Sequence, residues 1–449
     1  MKKLMKLIGF ISLFAASFAA SFSNPGNGTP PLALAAEVEW SGDLEITGDL
    51  KLTGAGKGLV FPDASRQTTA PPNYARIIIV SPVGTAVQNG ASLLAKRAAI
   101  IDASTTKPYL IKIEPGIYDV GTTSFVMGQY IDIEGSGIES TTIAGTVENS
   151  VGVIVGASNS EIRMLNVENT GSSNWSTAIS CSGTSPQITS VRAFATGATT
   201  NSAIYNSNGA SPVLTGVEAT ASGGTNSYGI YSDLSTPTML RVQSMAQNAT
   251  DMNCGIRNER SSSILTLSDA KGQGGTTAIG IWDNNNSSSK IVQVTAAAAG
   301  GSTSIGIKSS SSSPSISHTI ATGSGGSYSY GILMGDGTPV LRNVIARSSS
   351  SAHCTGIQNS GASPVMTNVT ATASDGTTSN YGLHNVTGPG VITADRCSFT
   401  GNTRSVSNVV AFTFNMGATK LEGPVDSPGT WLCANCYNGS GAALNASCQ

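Results

Sequence analysis

Carboxylates, cations and aromatic rings recur in this sequence at intervals that chemistry could use. Asp233, Glu259 and Asp283 are spaced by 26 and 24 residues, and Arg257 and Arg260 flank the middle one. Glycoside chemistry needs paired carboxylates, one of them with a raised pKa, and the same oxygens suit calcium. The competing reading is a solvated turn in which Asp and Arg pair with each other. A second set is Tyr205, Tyr231, Arg257, Trp282 and Lys308, at intervals of 26, 26, 25 and 26. Ring faces suit sugar rings, and the cations suit acidic groups. The three histidines, His318, His353 and His384, share no interval, so neither a histidine metal site nor a triad is expected. Cys433, Cys436 and Cys448 cluster in the last 17 residues. The "CANC" run lacks the following His of a haem attachment and a second ligand pair at zinc-finger spacing, so a tail disulfide is expected from these three. Seven cysteines leave at least one unpaired.

Residues spaced in this way need an element that returns every 25 or 26 positions. The phrase "NSYGIYSD" (226–233) is such an element, for it reappears as "AIGIWDNN", "SIGIKSSS", "SYGILMGD", "CTGIQNSG" and "NYGLHNVT". Its apolar anchor runs Ile154, Ile179, Ile204, Ile230, Ile256, Ile281, Ile307, Ile332, Ile357, Leu383, always 25 or 26 apart. A second column is Val191, Val217, Val242, Leu267, Val294, Ile320, Val344, Val369, and a third is prolines, Pro186, Pro212, Pro237, Pro314, Pro339, Pro364 and Pro389. Short apolar runs punctuated by Gly, Asn, Ser and Pro, without a 3.6-residue period, are strands. A unit of this length fits one coil of a parallel β-helix, in which equivalent side chains stack about 4.8 Å apart. The fold class is therefore all-β, a solenoid of about ten 25-residue coils. Two residues beyond each anchor, Asn206, Asn258, Asn359 and Asn385 suit an internal amide ladder. One residue beyond lies the aromatic and cationic row, predicted to face outward, and the small residue before each anchor is expected to form a flat floor on that same outer face.

Only 11% of residues are charged and the net charge is −2, against disorder and against nucleic acid. Lys2, Lys3 and Lys6 precede an uncharged run from Leu7 to Phe22, with small residues before cuts after Ala19 or Ala35. This is a secretion signal, so residues 1–35 are expected to be removed and no span to remain in the mature chain. Residues 36–72 read as a β-rich stem or linker, 73–153 as an N-terminal cap with the first coils, 154–406 as the repeats, and 407–449 as a C-terminal cap. The cap helix is predicted in "NGASLLAKRAAIIDAS", with Asn89 as its N-cap and Leu94, Ala98 and Ile101 on its inner face.

"IKIEPGIYDV" followed by "YIDIEGSGIESTTI" resembles the opening coils of pectinesterase-like proteins, in the pectin-lyase-like β-helix superfamily. The resemblance covers Arg76 to Ile154 by motif and the rest by repeat character. It implies a right-handed β-helix with three sheets, and carbohydrate as ligand. Its catalytic motifs do not carry over: there is no Asp-Phe pair of a methylesterase, no Gly-His-Gly of a polygalacturonase, and no Arg-Pro segment or calcium-binding Asp cluster of a pectate lyase. "SGDLEITGDLKLTGAG" (41–56) resembles stalks of phage-tail-fibre-like and trimeric surface proteins, which implies a homotrimer. The alternative is a strand packed along the first coils.

The expectation is a secreted or surface-exposed protein that binds polysaccharide or extracellular matrix without catalysis and without a cofactor, calcium being the one alternative. Tyr205, Tyr231, Arg257, Trp282 and Lys308 would carry the binding. Two rivals are a carbohydrate-active esterase or lyase using Asp233, Glu259 and Asp283, and a structural trimeric fibre or adhesin component.

Overall fold

A computed structural model describes residues 74–388, 390–409, 412–426 and 429–448, together with 59–60 and 66–67. The secretion signal and the 41–56 echo lie outside the described residues. In the N-terminal unit, 1–72, one antiparallel pair is described, Leu59–Val60 with Arg66–Gln67. The unit from Asn73 onward is a right-handed parallel β-helix.

One wall is a sheet of twelve parallel strands, from Phe125–Val126 to Arg404–Asn408, each laid beside the equivalent strand of the previous coil. The recurring phrase is this strand. Ile230, for example, pairs in register with Ile204 and Ile256. Every anchor from Ile154 to Leu383 is fully buried. The second sheet takes two short strands per coil, such as Val213–Thr215 and Glu218–Ser222, joined at a corner. The corner residue has positive φ in coil after coil: Gly216 (61°), Arg241 (53°), Leu267 (51°), Gln293 (54°), His318 (51°), Asn343 (53°). That conformation is costly for side-chain residues, and it swings the corner side chain outward.

The corner corrects the second column. Leu267 is itself the corner residue and is 47% exposed, while Ile320 begins the next strand and is 39% exposed. The inward places are held by Ser268 and Thr319, in register with the valines. These hydroxyls complete the corner: the Val242 amide donates to Ser268 Oγ, which donates to the Thr266 carbonyl, and Thr319 does the same between Val294 and Ser317. A hydroxyl replaces a valine because it satisfies two backbone groups buried at the kink.

The described prolines of the column, Pro186 to Pro364, are buried, and the two coils without one place Ser263 and Ser289 at that phase. The core is narrow and aliphatic along its length, with Tyr118 and Phe125 near the first coils and Phe399, Phe412 and Phe414 near the last.

The cap helix, α1, spans Ala86–Ala98. Its N-cap is Thr85, in a capping box with Gln88, rather than Asn89. Asn89 instead ties the helix to the solenoid: its Oδ1 accepts from the Val83 and Gly84 amides and its Nδ2 donates to the Ile117 carbonyl. The buried face is Asn89, Gly90 and Leu93, whereas Ile101 lies beyond the helix and is 92% exposed. A Cβ on Gly90 would sit 1.9 Å from the Asp119 carbonyl oxygen, so glycine is what lets the helix close on the coil.

Candidate functional site

The row one beyond the anchors faces outward, as the alternation demands, and forms one packed stack. Tyr205, Tyr231, Arg257, Trp282 and Lys308 are mutual neighbours in register on successive strands. Their faces turn toward one another along the solenoid axis. Tyr205 and Tyr231 have ring centroids 5.3 Å apart, and Trp175 stacks on Tyr231 at 6.0 Å. The Arg257 guanidinium lies 5.0 Å from the Tyr231 ring and 4.6 Å from Trp282, and Lys308 Nζ lies 4.3 Å from Trp282 on the next strand. All five are half-buried. Beneath them is a second outward row, three residues earlier in the strand. Tyr228, Cys254, Ile279 and Ile305 form a cluster there, separate from the solenoid core, against which Tyr231, Trp282 and Leu333 pack. Sequence reasoning missed this row. The signal was present in the apolar residues two before Ile230, Ile256, Ile281 and Ile307.

The glycine floor is corrected. Gly229, Gly255, Gly280, Gly306, Gly331, Gly356 and Gly382 point inward, because the strand bends at this place and skips one residue of the ladder. A Cβ on Gly306 would come 2.5 Å from the Thr322 amide nitrogen and 2.6 Å from the Gly331 carbonyl oxygen, both backbone atoms of the opposite wall and the next coil. The phrase keeps its glycine since the two walls nearly touch there.

The three carboxylates divide between two faces. Asp233 and Glu259 are in register on the outside. Arg260 grips both oxygens of Asp233, at 2.8 and 3.0 Å. Glu259 accepts from Asn284 (2.8 Å), Arg257 (3.0 Å) and Asn285. Burial works to raise its pKa, but these donors outweigh burial and hold the carboxyl below its ordinary range. Asp283 is one residue out of phase and lies fully inside, in register with Asn258. Its Oδ1 accepts from Asn258 Nδ2 (2.7 Å) and Ser289 Oγ (2.9 Å), while Oδ2 has no partner among the described residues. Burial pushes its pKa up to about 6 against those two hydrogen bonds. A general acid must reach a substrate, and this one is sealed in the core, so the trio does not form an acid–base pair.

The internal ladder is present in part. Asn206 Nδ2 donates to Ser232 Oγ at 3.2 Å and Asn385 Nδ2 donates to Asn408 Oδ1 at 2.7 Å, whereas Asn359 bonds the Ala362 backbone. Ser263 Oγ donates to Asn258 Oδ1 at 2.6 Å. The coils lacking proline thus hold a buried network of Asn258, Asp283, Ser263 and Ser289.

A further charged cluster went unread in the sequence. Arg163 meets Glu134 at 2.8 Å, Glu161 at 2.5 Å and Asp132 at 4.0 Å, and Tyr74 donates to Asp132 at 2.7 Å. Burial raises the Asp132 pKa, opposed by the Tyr74 and Glu161-amide hydrogen bonds. "YIDIE" and "SEIRM" fall in register across neighbouring coils to build it.

Histidines 318, 353 and 384 lie on different rows. His353 stacks on Tyr328 and His384 packs against Tyr381. In the tail the disulfide joins Cys433 to Cys448. Cys436 is a buried free thiol. Among the described residues no helix is long and apolar enough to cross a membrane.

These features define a parallel β-helix in fold. No protein-family model matches the chain, and no curated protein sequence matches it. Solved structures similar to it include the Geobacillus virus E2 protein ORF18, at 11% identity over 80% of this chain with a TM-score of 0.31. The chain spans 62% of the length of that viral protein. The A-module of the Azotobacter vinelandii mannuronan C-5 epimerase AlgE4 is 12% identical over 76% of this chain and 95% of its own, with a TM-score of 0.45. Pectate lyase Pel9A is 13% identical over 66% of this chain and 78% of its own, with a TM-score of 0.37. At these identities the likeness is one of fold.

Proposed function

We propose that this is a secreted or surface-exposed β-helix protein that binds an acidic polysaccharide on the outer face of the twelve-stranded sheet, without catalysis. The observation that carries the reading is Lys308. Its ammonium rests on Trp282, burial and then the neighbouring Arg257 push its pKa down, and no carboxylate pairs with it among the described residues. A half-buried cation without a counter-ion is a place where an anionic group of a ligand gains most, since low dielectric strengthens the pair. The stack changes the mode of contact expected from sequence. Both neighbours of Trp282 are cations lying against its ring, so a sugar would meet ring edges, hydroxyls and charge rather than a free aromatic face. Lys308 selects the acid, since Arg257 is already paired with Glu259, and the tyrosine and tryptophan edges supply apolar contact to the chain.

The test is binding of the purified full chain to polygalacturonate and to a neutral glucan, with reducing-sugar and methanol release followed in the same samples. Binding to the acidic polymer should be the stronger, should weaken with salt, and should fall about tenfold in Lys308→Met, roughly 1.4 kcal/mol. The melting curve of that variant should be unchanged or raised. Equal affinity for both polymers, or turnover of either, would refute the reading.

A further inference from the structure

The tail holds three sulfurs where a disulfide needs two. The Sγ atoms of Cys433, Cys436 and Cys448 all lie within 4.8 Å of one another. Cys433 and Cys448 are joined, and Cys436 is the free thiol. The backbone fixes this arrangement independently of the bond. The Cys433 amide donates to the Ala446 carbonyl and the Leu444 amide donates to the Cys436 carbonyl, which folds the last residues back on the strand Gly429–Ala434 and the turn after it. The three sulfurs differ in access: Cys436 and Cys448 are each 1% exposed, whereas Cys433 is half-buried.

We propose that the tail is a latent-thiol device in which Cys436 exchanges into the disulfide and releases Cys433 as an accessible, modifiable thiol. The Cys436 sulfur, as thiolate, attacks Cys448 Sγ. The Cys436–Cys448 bond forms and the Cys433–Cys448 bond breaks. Cys433 leaves as thiolate and takes up the proton that Cys436 gave to solvent. Two sulfurs remain oxidised throughout, so no external oxidant or reductant enters. The exchange leaves the tail cross-linked in either form, and the core keeps its last coil closed. What changes is where the odd thiol stands. In one form it is sealed against the Met416 carbonyl; in the other it is on the half-exposed strand residue, within reach of a thiol-reactive partner such as a disulfide on another surface. The inference does not depend on the polysaccharide reading, since the tail cysteines and the stack share no residue.

The experiment alkylates the oxidised native full chain with N-ethylmaleimide at pH 8, quenches in acid, and maps adducts and cross-links by peptide mass spectrometry. The expected result is an adduct on Cys433 that accumulates together with a Cys436–Cys448 cross-link. Cys181, Cys254, Cys354 and Cys397, all buried, stay at least tenfold less labelled. Cys436→Ser should keep the Cys433–Cys448 bond and lose the Cys433 adduct. Cys433→Ser leaves Cys436 and Cys448 as the one tail pair and should give a Cys436–Cys448 cross-link with no tail adduct, which keeps the proposal open to refutation if the first variant folds poorly: two free thiols there would overturn it. Three outcomes in the native chain would also overturn the proposal: an unlabelled protein containing Cys433–Cys448 alone, an adduct on Cys436 itself, or three thiols held by one zinc ion per chain with no disulfide.

Discussion

Replacing Asp283 by asparagine should make the protein more stable at neutral pH and leave it unchanged in acid. The carboxylate is fully buried, one of its oxygens has no partner, and its pKa is pushed from 3.8 to about 6. Each pKa unit corresponds to 1.36 kcal/mol between the two states, so the ionised form costs the fold about 3 kcal/mol. The sign follows from linkage. Between pH 4 and 6 the folded chain binds this proton more tightly than the unfolded chain, so the favourable contribution is complete below pH 4 and is lost as pH rises through about 6. The amide of Asp283→Asn keeps Oδ1 for Asn258 and Ser289 and turns a donor toward Ser309, the next rung. The variant should therefore gain on the order of 2–3 kcal/mol at pH 8 and close to nothing at pH 4. The assay is urea unfolding of both proteins at pH 4, 5, 6, 7 and 8. The quantity read is the difference between them, because Glu259, Asp132 and the histidines are common to both and cancel. A pH-independent difference, or a variant less stable at pH 8, would refute the argument that desolvation dominates at this residue.

Two other substitutions probe the solenoid itself. Gly306→Ala should destabilise by about 1–3 kcal/mol through overpacking against the opposite wall, whereas Gly335→Ala, where φ is not positive and an added Cβ would meet no atom nearer than 3.9 Å, should change stability by less than about 0.5 kcal/mol. Equal melting temperatures for the two would mean the walls are not in contact at the repeated glycine. Ile256→Asp places a charge in the middle of the buried column and should abolish several coils, seen as a large loss of far-ultraviolet β signal. An unchanged spectrum would remove the case for the anchor column.

Much of the fold was legible because a solenoid repeats its constraints. One strand per coil must bury one side chain at the same phase, and ten anchors at 25 or 26 residues disclosed it. The corner was harder to read. Leu267 and Ile320 are apolar and lie one residue from the right phase, so hydrophobicity alone preferred them to Ser268 and Thr319, which hold the inward place through hydrogen bonds rather than apolar area. The glycine was misassigned for a related reason. Strict alternation puts the residue before the anchor outside, but the strand bends there and two consecutive residues face in. Asp283 was grouped with Asp233 and Glu259 by spacing, but the coil here is 25 residues long and pairs Glu259 with Asn284, so a spacing of 24 put Asp283 one residue away, on the inner face. Period-two alternation makes a single residue decide between solvent and core.

The departures from the repeat are not scattered. The coils between Met252 and Ser310 lack the buried proline and hold Asn258, Asp283, Ser263 and Ser289 inside. The same coils carry Arg257, Glu259, Trp282 and Lys308 outside. The two sets are covalently adjacent: Arg257, Asn258 and Glu259 alternate out, in, out on one strand, and Asp283 lies between Trp282 and Asn284 on the next. Asn284 and Asn285, which fix Glu259, follow Asp283 directly. A core selected only for stability would continue the proline and the uncharged rung through these coils, as it does on either side. The interior concession at Asp283 therefore sits under the charged part of the outer stack, where Arg257, Glu259 and Lys308 follow the neutral tyrosines, and where the proposed acidic ligand would meet Lys308.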